Sequence, residues 1–161
     1  LYIAGINKGA EIASAIPLIN ERVSGILAIN KAWINRKFIE NREKPYILSL
    51  VSGTRDYSRF GMMDVLDILN GEDYPTEINY FEGGPESWPD TFTISNAVGK
   101  FTLEAMNNGA RQKNDTVVNT IYQNEIKAIE SLVRQGSYYT AFTQVKKAEE
   151  KFDEFERCDD Q

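Results

Sequence analysis

Four short apolar runs, each closed by turn residues, constrain this chain more than any other feature. Leu1-Tyr2-Ile3-Ala4 runs into Gly5-Ile6-Asn7-Lys8-Gly9, and Val23–Ile29 is apolar almost throughout. Pro45–Ser52 carries Ile47, Leu48, Leu50 and Val51 and ends in Gly53-Thr54-Arg55-Asp56-Tyr57. Glu77–Phe81 is followed by Glu82-Gly83-Gly84-Pro85-Glu86-Ser87-Trp88-Pro89. Near-continuous apolar runs of this length suit strands covered on both faces. Between the first two, Ala10–Ile19 reads as a helix whose small residues, Ala10, Ala13 and Ala15, allow close packing on a sheet. Pro17 is expected to kink or shorten its last turn. Lys31–Lys44 carries alternating charges around Trp33 and Phe38 and reads as a loop with room for one helical turn. Phe60, Met63, Leu66 and Ile68–Leu69 mark the next helix, stopped by Asn70-Gly71. The order predicts an α/β fold, with a parallel sheet of about four strands flanked by helices and joined by right-handed crossovers.

The remainder has helical period. Ile94, Ala97, Val98, Phe101 and Ala105 share one face of a helix ending near Asn108-Gly109, and Val118, Ile121, Tyr122, Ile129 and Leu132 line a second. After Gly136 a third follows, with Ala141, Phe142, Val145, Ala148, Phe152 and Phe155 at helical spacing. The last two predict an antiparallel hairpin, and one hairpin does not establish a repeat. A soft boundary near Gln112–Asp115 divides an α/β part, residues 1–112, from a helical extension, residues 113–161. The stripe Phe142–Phe152–Phe155 reads as hairpin core, the alternative being a partner-binding face.

Charge and residue usage exclude several functions. With a formal charge of −6 there is no surplus of Lys and Arg to neutralise phosphates, so a nucleic-acid partner or an electrostatic membrane anchor is not expected. No apolar run approaches the roughly 20 residues that span a bilayer. Cys158 is the single cysteine, which rules out an internal disulfide and leaves the compartment open. Histidine is absent. The chain therefore lacks the usual general base of a Ser-His-Asp or Cys-His site and the commonest nitrogen ligand for zinc.

Strand, Gly5-x-Asn7-x-Gly9, helix is the setting of a nucleophile elbow, with asparagine where G-x-S-x-G places serine. The third run ends in Gly53-Thr54-Arg55-Asp56, and the fourth in Gly83-Gly84-Pro85-Glu86-Ser87-Trp88-Pro89. In these three motifs, taken in this order over about residues 1–110, the chain resembles the C-terminal half of an α/β-hydrolase domain of the esterase or lipase type. The second motif is similar to the G-T-x-D that carries the family's acid, and the third to the G-G-H-x-x-W-P that carries its histidine. The helical tail is similar, less specifically, to an extension on some bacterial hydrolase-like proteins.

The resemblance places Asn7 at the nucleophile, Asp56 at the acid and Pro85 at the base, with the Lys8 backbone N–H as half of an oxyanion hole. The other half would come from a loop upstream of Leu1. Asparagine is no serine-like nucleophile and proline carries no titratable proton, so a degenerate triad without cofactor or metal is expected. The resemblance also implies that the family's first four strands are missing. The Leu1 strand would then be an apolar edge, covered by an N-terminal half or by another copy of the chain.

The residues keep other readings open. Asn7 suits a strained turn by itself, and Asp56 suits the N-cap of the next helix. Glu82, Glu86 and Asp90 are carboxylates close enough in sequence to suggest a hard cation, though their spacing fits no dedicated loop. Trp33 and Trp88 either line the mouth of a pocket or cap the sheet. The leading expectation is a hydrolase-like protein without catalysis, binding a small ligand or protein partner through Asn7, Asp56, Tyr57 and Trp88. One alternative is an ester hydrolase with an unorthodox site, its base supplied from outside or by a water that Asp56 activates. The other is a helical interaction module on an α/β scaffold.

Overall fold

The computed structural model describes residues 1–34 and 45–156, with side chains to residue 152. Four strands form one parallel sheet in the order β1-β2-β3-β4: Tyr2–Ile6, Gly25–Ile29, Ile47–Gly53 and Thr76–Phe81. The helices are α1 (Lys8–Ala15), α2 (Arg59–Asn70), α3 (Thr91–Asn107), α4 (Asp115–Arg134) and α5 (Tyr138–Glu156). The α/β architecture expected from the apolar runs is the architecture found. Most of the predicted loop Lys31–Lys44 lies outside the described residues.

Alternation along the central strands divides the core into two layers, because successive side chains leave opposite faces. Ile26, Ala28, Leu48 and Leu50 meet Ala10 and Ala13 of α1 and Met62, Val65 and Leu69 of α2. Leu27, Ile29, Ile47 and Val51 point the other way, onto Ala97 and Phe101 of α3. β2 and β3 are therefore buried throughout. A third cluster joins Leu103 and Met106 of α3 to Ile121, Ile129 and Leu132 of α4 and Ala141, Ala148 and Phe152 of α5. The hairpin is thus seated on α3.

Pro17 acts as the sequence suggests. The α-helix stops at Ala15, and Ile16–Leu18 forms a single 3-10 turn with proline near its start, where a missing N–H costs nothing. The phenylalanine stripe needs correction. Phe152 is buried, but Phe142 stands exposed beside Tyr138 and Tyr139, so only part of the stripe is core. The side chain of Phe155 lies outside the described residues.

The two sheet edges differ. β1 pairs with β2 alone, and Leu1 and Tyr2 are exposed there. The far edge, β4, is covered by α5, whose Gln144 Nε2 donates to the Ile78 carbonyl at 3.1 Å. Among the described residues no helix is long and apolar enough to cross a membrane.

Candidate functional site

β1 ends in a turn so tight that a Cβ on Gly5 would lie 2.3 Å from the Gly9 carbonyl oxygen. Only glycine fits there. Gly9 has open space around its Cα, so the requirement falls on one flank of the motif. Between them Asn7 adopts φ 52°, ψ −122°, a conformation open to glycine and strained for a residue with a Cβ. Its N–H donates to the Ile29 carbonyl at 2.9 Å, while its own carbonyl accepts from Ala10 and Glu11 to start α1. The Asn7 side chain does not cap that helix, so capping does not explain the residue type.

Asn30, directly after β2, draws the other strand ends together. It is fully buried with φ 64°, a left-handed backbone that asparagine tolerates better than most residues. Its N–H donates to Val51 at 2.8 Å, its carbonyl accepts from the Ser58 hydroxyl, and Nδ2 donates to the Pro85 carbonyl at 3.2 Å. Oδ1 of the same side chain is buried with no hydrogen-bond partner. Ser58 N–H in turn donates to Asp56 Oδ1 at 2.8 Å. Hydrogen bonds of Asn30 thus connect the segments of Asp56 and Pro85, and the Asn7 N–H joins the same strand end through the Ile29 carbonyl. Sequence reasoning missed Asn30, although an asparagine closing an apolar strand is the kind of signal that marks a left-handed turn.

The remaining candidates separate by exposure. Asp56 is 4% exposed, and it is not the N-cap of α2: that position is Ser58, whose amide Asp56 holds two residues ahead. Lys8 and Pro85 are exposed, and Tyr57 and Trp88 project into solvent from the loops after β3 and β4. Trp33 is 44% exposed, less than Trp88 at 73%.

The three suggested cation ligands have separate roles. Glu82 accepts from Thr54 Oγ1 at 2.7 Å and Ser137 Oγ at 2.8 Å and pairs with Arg55 at 3.1 Å. The Thr54 hydrogen bond is the largest influence holding its carboxyl below the ordinary range; the Ser137 bond and Arg55 add to it, against partial burial. Asp90 caps α3 by accepting from Thr93 N–H at 2.9 Å, and Glu86 is exposed. No group of metal-ligating side chains occurs among the described residues.

A second polar assembly lies beside the first half of β4, where nothing local in the sequence marks it. Lys151 of α5 contacts Glu77 of β4 at 2.9 Å and Glu125 of α4 at 2.8 Å. Glu77 Oε1 also accepts from Asn79 Nδ2 at 2.8 Å and Ser49 Oγ at 3.2 Å. Burial pushes the Glu77 carboxyl up, but the charges of Lys151 and Lys100 and the hydrogen bonds from Lys151 and Asn79 outweigh it, and the group is held below the ordinary range. Glu125, with fewer partners, is pushed up by burial. A cavity of about 360 Å³ opens beside this cluster, between α2 and the helical hairpin. Comparison with protein-family models, curated proteins and solved structures finds no match to this chain.

Proposed function

We propose that the chain is an α/β-hydrolase-like protein without acyl-transfer catalysis, whose strand C-termini bind a small ligand or a protein partner. The observation carrying this reading is the backbone of Asn7. A sharp strand-to-helix turn is held at φ 52°, ψ −122° by an obligatory glycine, which is the geometry a nucleophile elbow needs. The residue it displays has no nucleophilic oxygen. Strain of this kind is retained where the surroundings over-determine it, most often at functional sites. Asn30 and Asp56, both buried polar residues, back the same region, and the exposed Tyr57 and Trp88 are suited to contact an occupant.

Chemistry at this site lacks its parts. The base position is a proline, and Asp56 uses Oδ1 to hold the Ser58 amide. Hydrolysis of p-nitrophenyl acetate is therefore expected not to exceed the buffer rate; turnover abolished by Asp56→Ala would instead establish an ester hydrolase. Binding is tested by screening a small-molecule library against the isotope-labelled chain. Hits are expected to shift the amide resonances of Asn7, Lys8, Gly9 and the Thr54–Tyr57 turn. Hits confined to other surfaces would remove the strand ends from consideration.

The interaction-module reading rests on a different observation. Tyr138, Phe142 and Val145, at helical spacing on α5, are exposed together. A double substitution, Tyr138→Ser with Phe142→Ser, distinguishes the readings because it leaves the strand ends untouched. Loss of partner binding there with ligand binding intact would transfer the function to the hairpin.

A further inference from the structure

Three lysines line the cavity beside β4, a different place from the strand ends, and two of them are committed. Lys151 bridges Glu77 and Glu125, and Lys100 pairs with Glu104 at 2.6 Å. Lys147 lines the cavity half-buried and makes no ion pair among the described residues. Side chains four apart on a helix lie side by side, so Lys147 stands one turn from an ammonium that two carboxylates keep charged. To the same lining α2 brings only the uncharged Leu66 and Asn70, and α5 adds the exposed carboxylate of Glu150.

Burial is the largest influence on the Lys147 ammonium and disfavours it, and so does Lys151. Glu77, Glu150 and Glu125 favour it without outweighing them, and the group is held below the ordinary lysine range. An amine taken out of water beside a fixed cation is the setting that turns lysine from a solvated charge into a nucleophile. The neutral groups of the lining are versatile. Asn79 gives one N–H to Glu77 Oε1 at 2.8 Å, and Gln144 gives one to the Ile78 carbonyl at 3.1 Å. Each keeps a second N–H and its oxygen, so each can donate and accept, as a hydroxyl does. The cavity, about 360 Å³, is within the range of small-molecule sites.

We propose that Lys147 forms a reversible imine with a small hydroxylated aldehyde or ketone held in this cavity. Its Nζ adds to the carbonyl carbon, and the C=O π pair becomes an oxygen lone pair that takes up a proton from the nitrogen. The carbinolamine then loses that oxygen as water, together with the second Nζ proton, and a C=N bond replaces C=O. Amine and carbonyl supply every atom and electron of imine and water, so no further reactant is needed. The nitrogen must be neutral to attack, which selects the uncommitted lysine over its two ion-paired neighbours. Hydroxyl groups of the ligand find partners in the Asn79 and Gln144 amides.

The full chain is incubated at neutral pH with glyceraldehyde, or with butyraldehyde as a plain aldehyde, and the imine is trapped with cyanoborohydride. Peptide mass spectrometry then gives the rate at each lysine, with the exposed neighbour Lys146 as internal reference. Lys147 is expected to react at least about tenfold faster than Lys146, through its neutral amine and the aldehyde's residence in the cavity. Its rate should saturate in glyceraldehyde, and at a lower concentration than in butyraldehyde. The advantage should shrink as pH rises and Lys146 also loses its proton. Lys147→Arg, which keeps the charge, should remove the saturable phase while the ligand-free Tm stays near wild type. The rates themselves are read on the wild-type chain, so they do not depend on how a variant folds. Equal rates at Lys146 and Lys147, a Lys147 rate linear in both aldehydes, or a ratio that does not change with pH overturns the assignment of the amine. Saturation by butyraldehyde at an equal or lower concentration overturns the hydroxylated ligand.

Discussion

At the C-terminal ends of the strands this protein places groups with its backbone; beside the first half of β4 it places them with side-chain charge. The elbow is held by a glycine contact, a strained asparagine and amide-to-carbonyl bonds between neighbouring strand ends. Lys151, Glu77 and Glu125 come from three elements and meet only because α4 and α5 fold back over α3 and the sheet edge. The first region is rigid as soon as the sheet forms. The second exists only while the hairpin is docked, so the two should respond differently to substitution and to pH.

The largest effect is expected at Lys151. Replacing it by methionine leaves two buried carboxylates without the cation that bridges them, and breaking a buried ion cluster in this way costs about 3–5 kcal/mol. Urea denaturation measures the loss, and hydrogen exchange should place it first in the hairpin. A cost below about 1 kcal/mol would mean that the cluster behaves as a surface pair, and the contrast between the regions would collapse.

Next comes Gly5→Ala. The new Cβ meets backbone rather than a flexible side chain, so the turn itself must open. Overpacking of this kind costs about 1–3 kcal/mol and sometimes more. Gly9→Ala, with open space at the site and inside α1, should gain up to about 1 kcal/mol from helix propensity. Equal effects at the two glycines would show that the elbow is looser than its geometry implies.

This division explains what was legible beforehand. Strands and elbow are local patterns: Ile26 and Ala28 alternate with Leu27 and Ile29, and Gly5-x-Asn7-x-Gly9 spans five residues. The charged cluster has no local pattern. Gln144 meets Ile78 across 66 positions and Lys151 meets Glu125 across 26, and each reads in the sequence as one more solvated residue of an amphipathic helix. Asn30 was hidden for another reason: a turn asparagine and a buried hydrogen-bonding hub look identical until the neighbouring loops are placed.

Acid should separate the two regions more gently. Glu77 is held below its unfolded pKa, so its stabilisation is complete above the unfolded value and is lost as pH falls through the folded one. Glu125 has the opposite sign: its folded pKa is raised, so its charge costs stability at neutral pH, and that cost disappears as pH falls through the raised value. On acidification the hairpin should first hold or gain stability and then lose it. Calorimetric Tm followed from neutral pH downward checks the shape. Glu125→Gln should remove the early gain and Glu77→Gln the later loss, while the elbow's amide exchange protection shows neither inflection. A single monotonic fall unaffected by Glu125→Gln would contradict the assignment.

The smallest effect is the most informative about the strand ends. Asn7→Gly relieves a conformation that costs a side-chain-bearing residue about 1–3 kcal/mol, against the entropy that glycine adds to the unfolded chain. A net gain near 1 kcal/mol in urea denaturation is expected, since no helix-capping bond is given up. The measurement becomes decisive when paired with binding of a ligand found at the strand ends. If Asn7 is there only to make the turn, glycine makes it better and affinity is unchanged. If the amide touches the occupant, stability rises while affinity falls, and no purely conformational role produces that opposition. A loss of stability would show that the asparagine side chain supports the native turn in a way its backbone angles do not reveal, and the elbow would then owe its shape to a side chain after all.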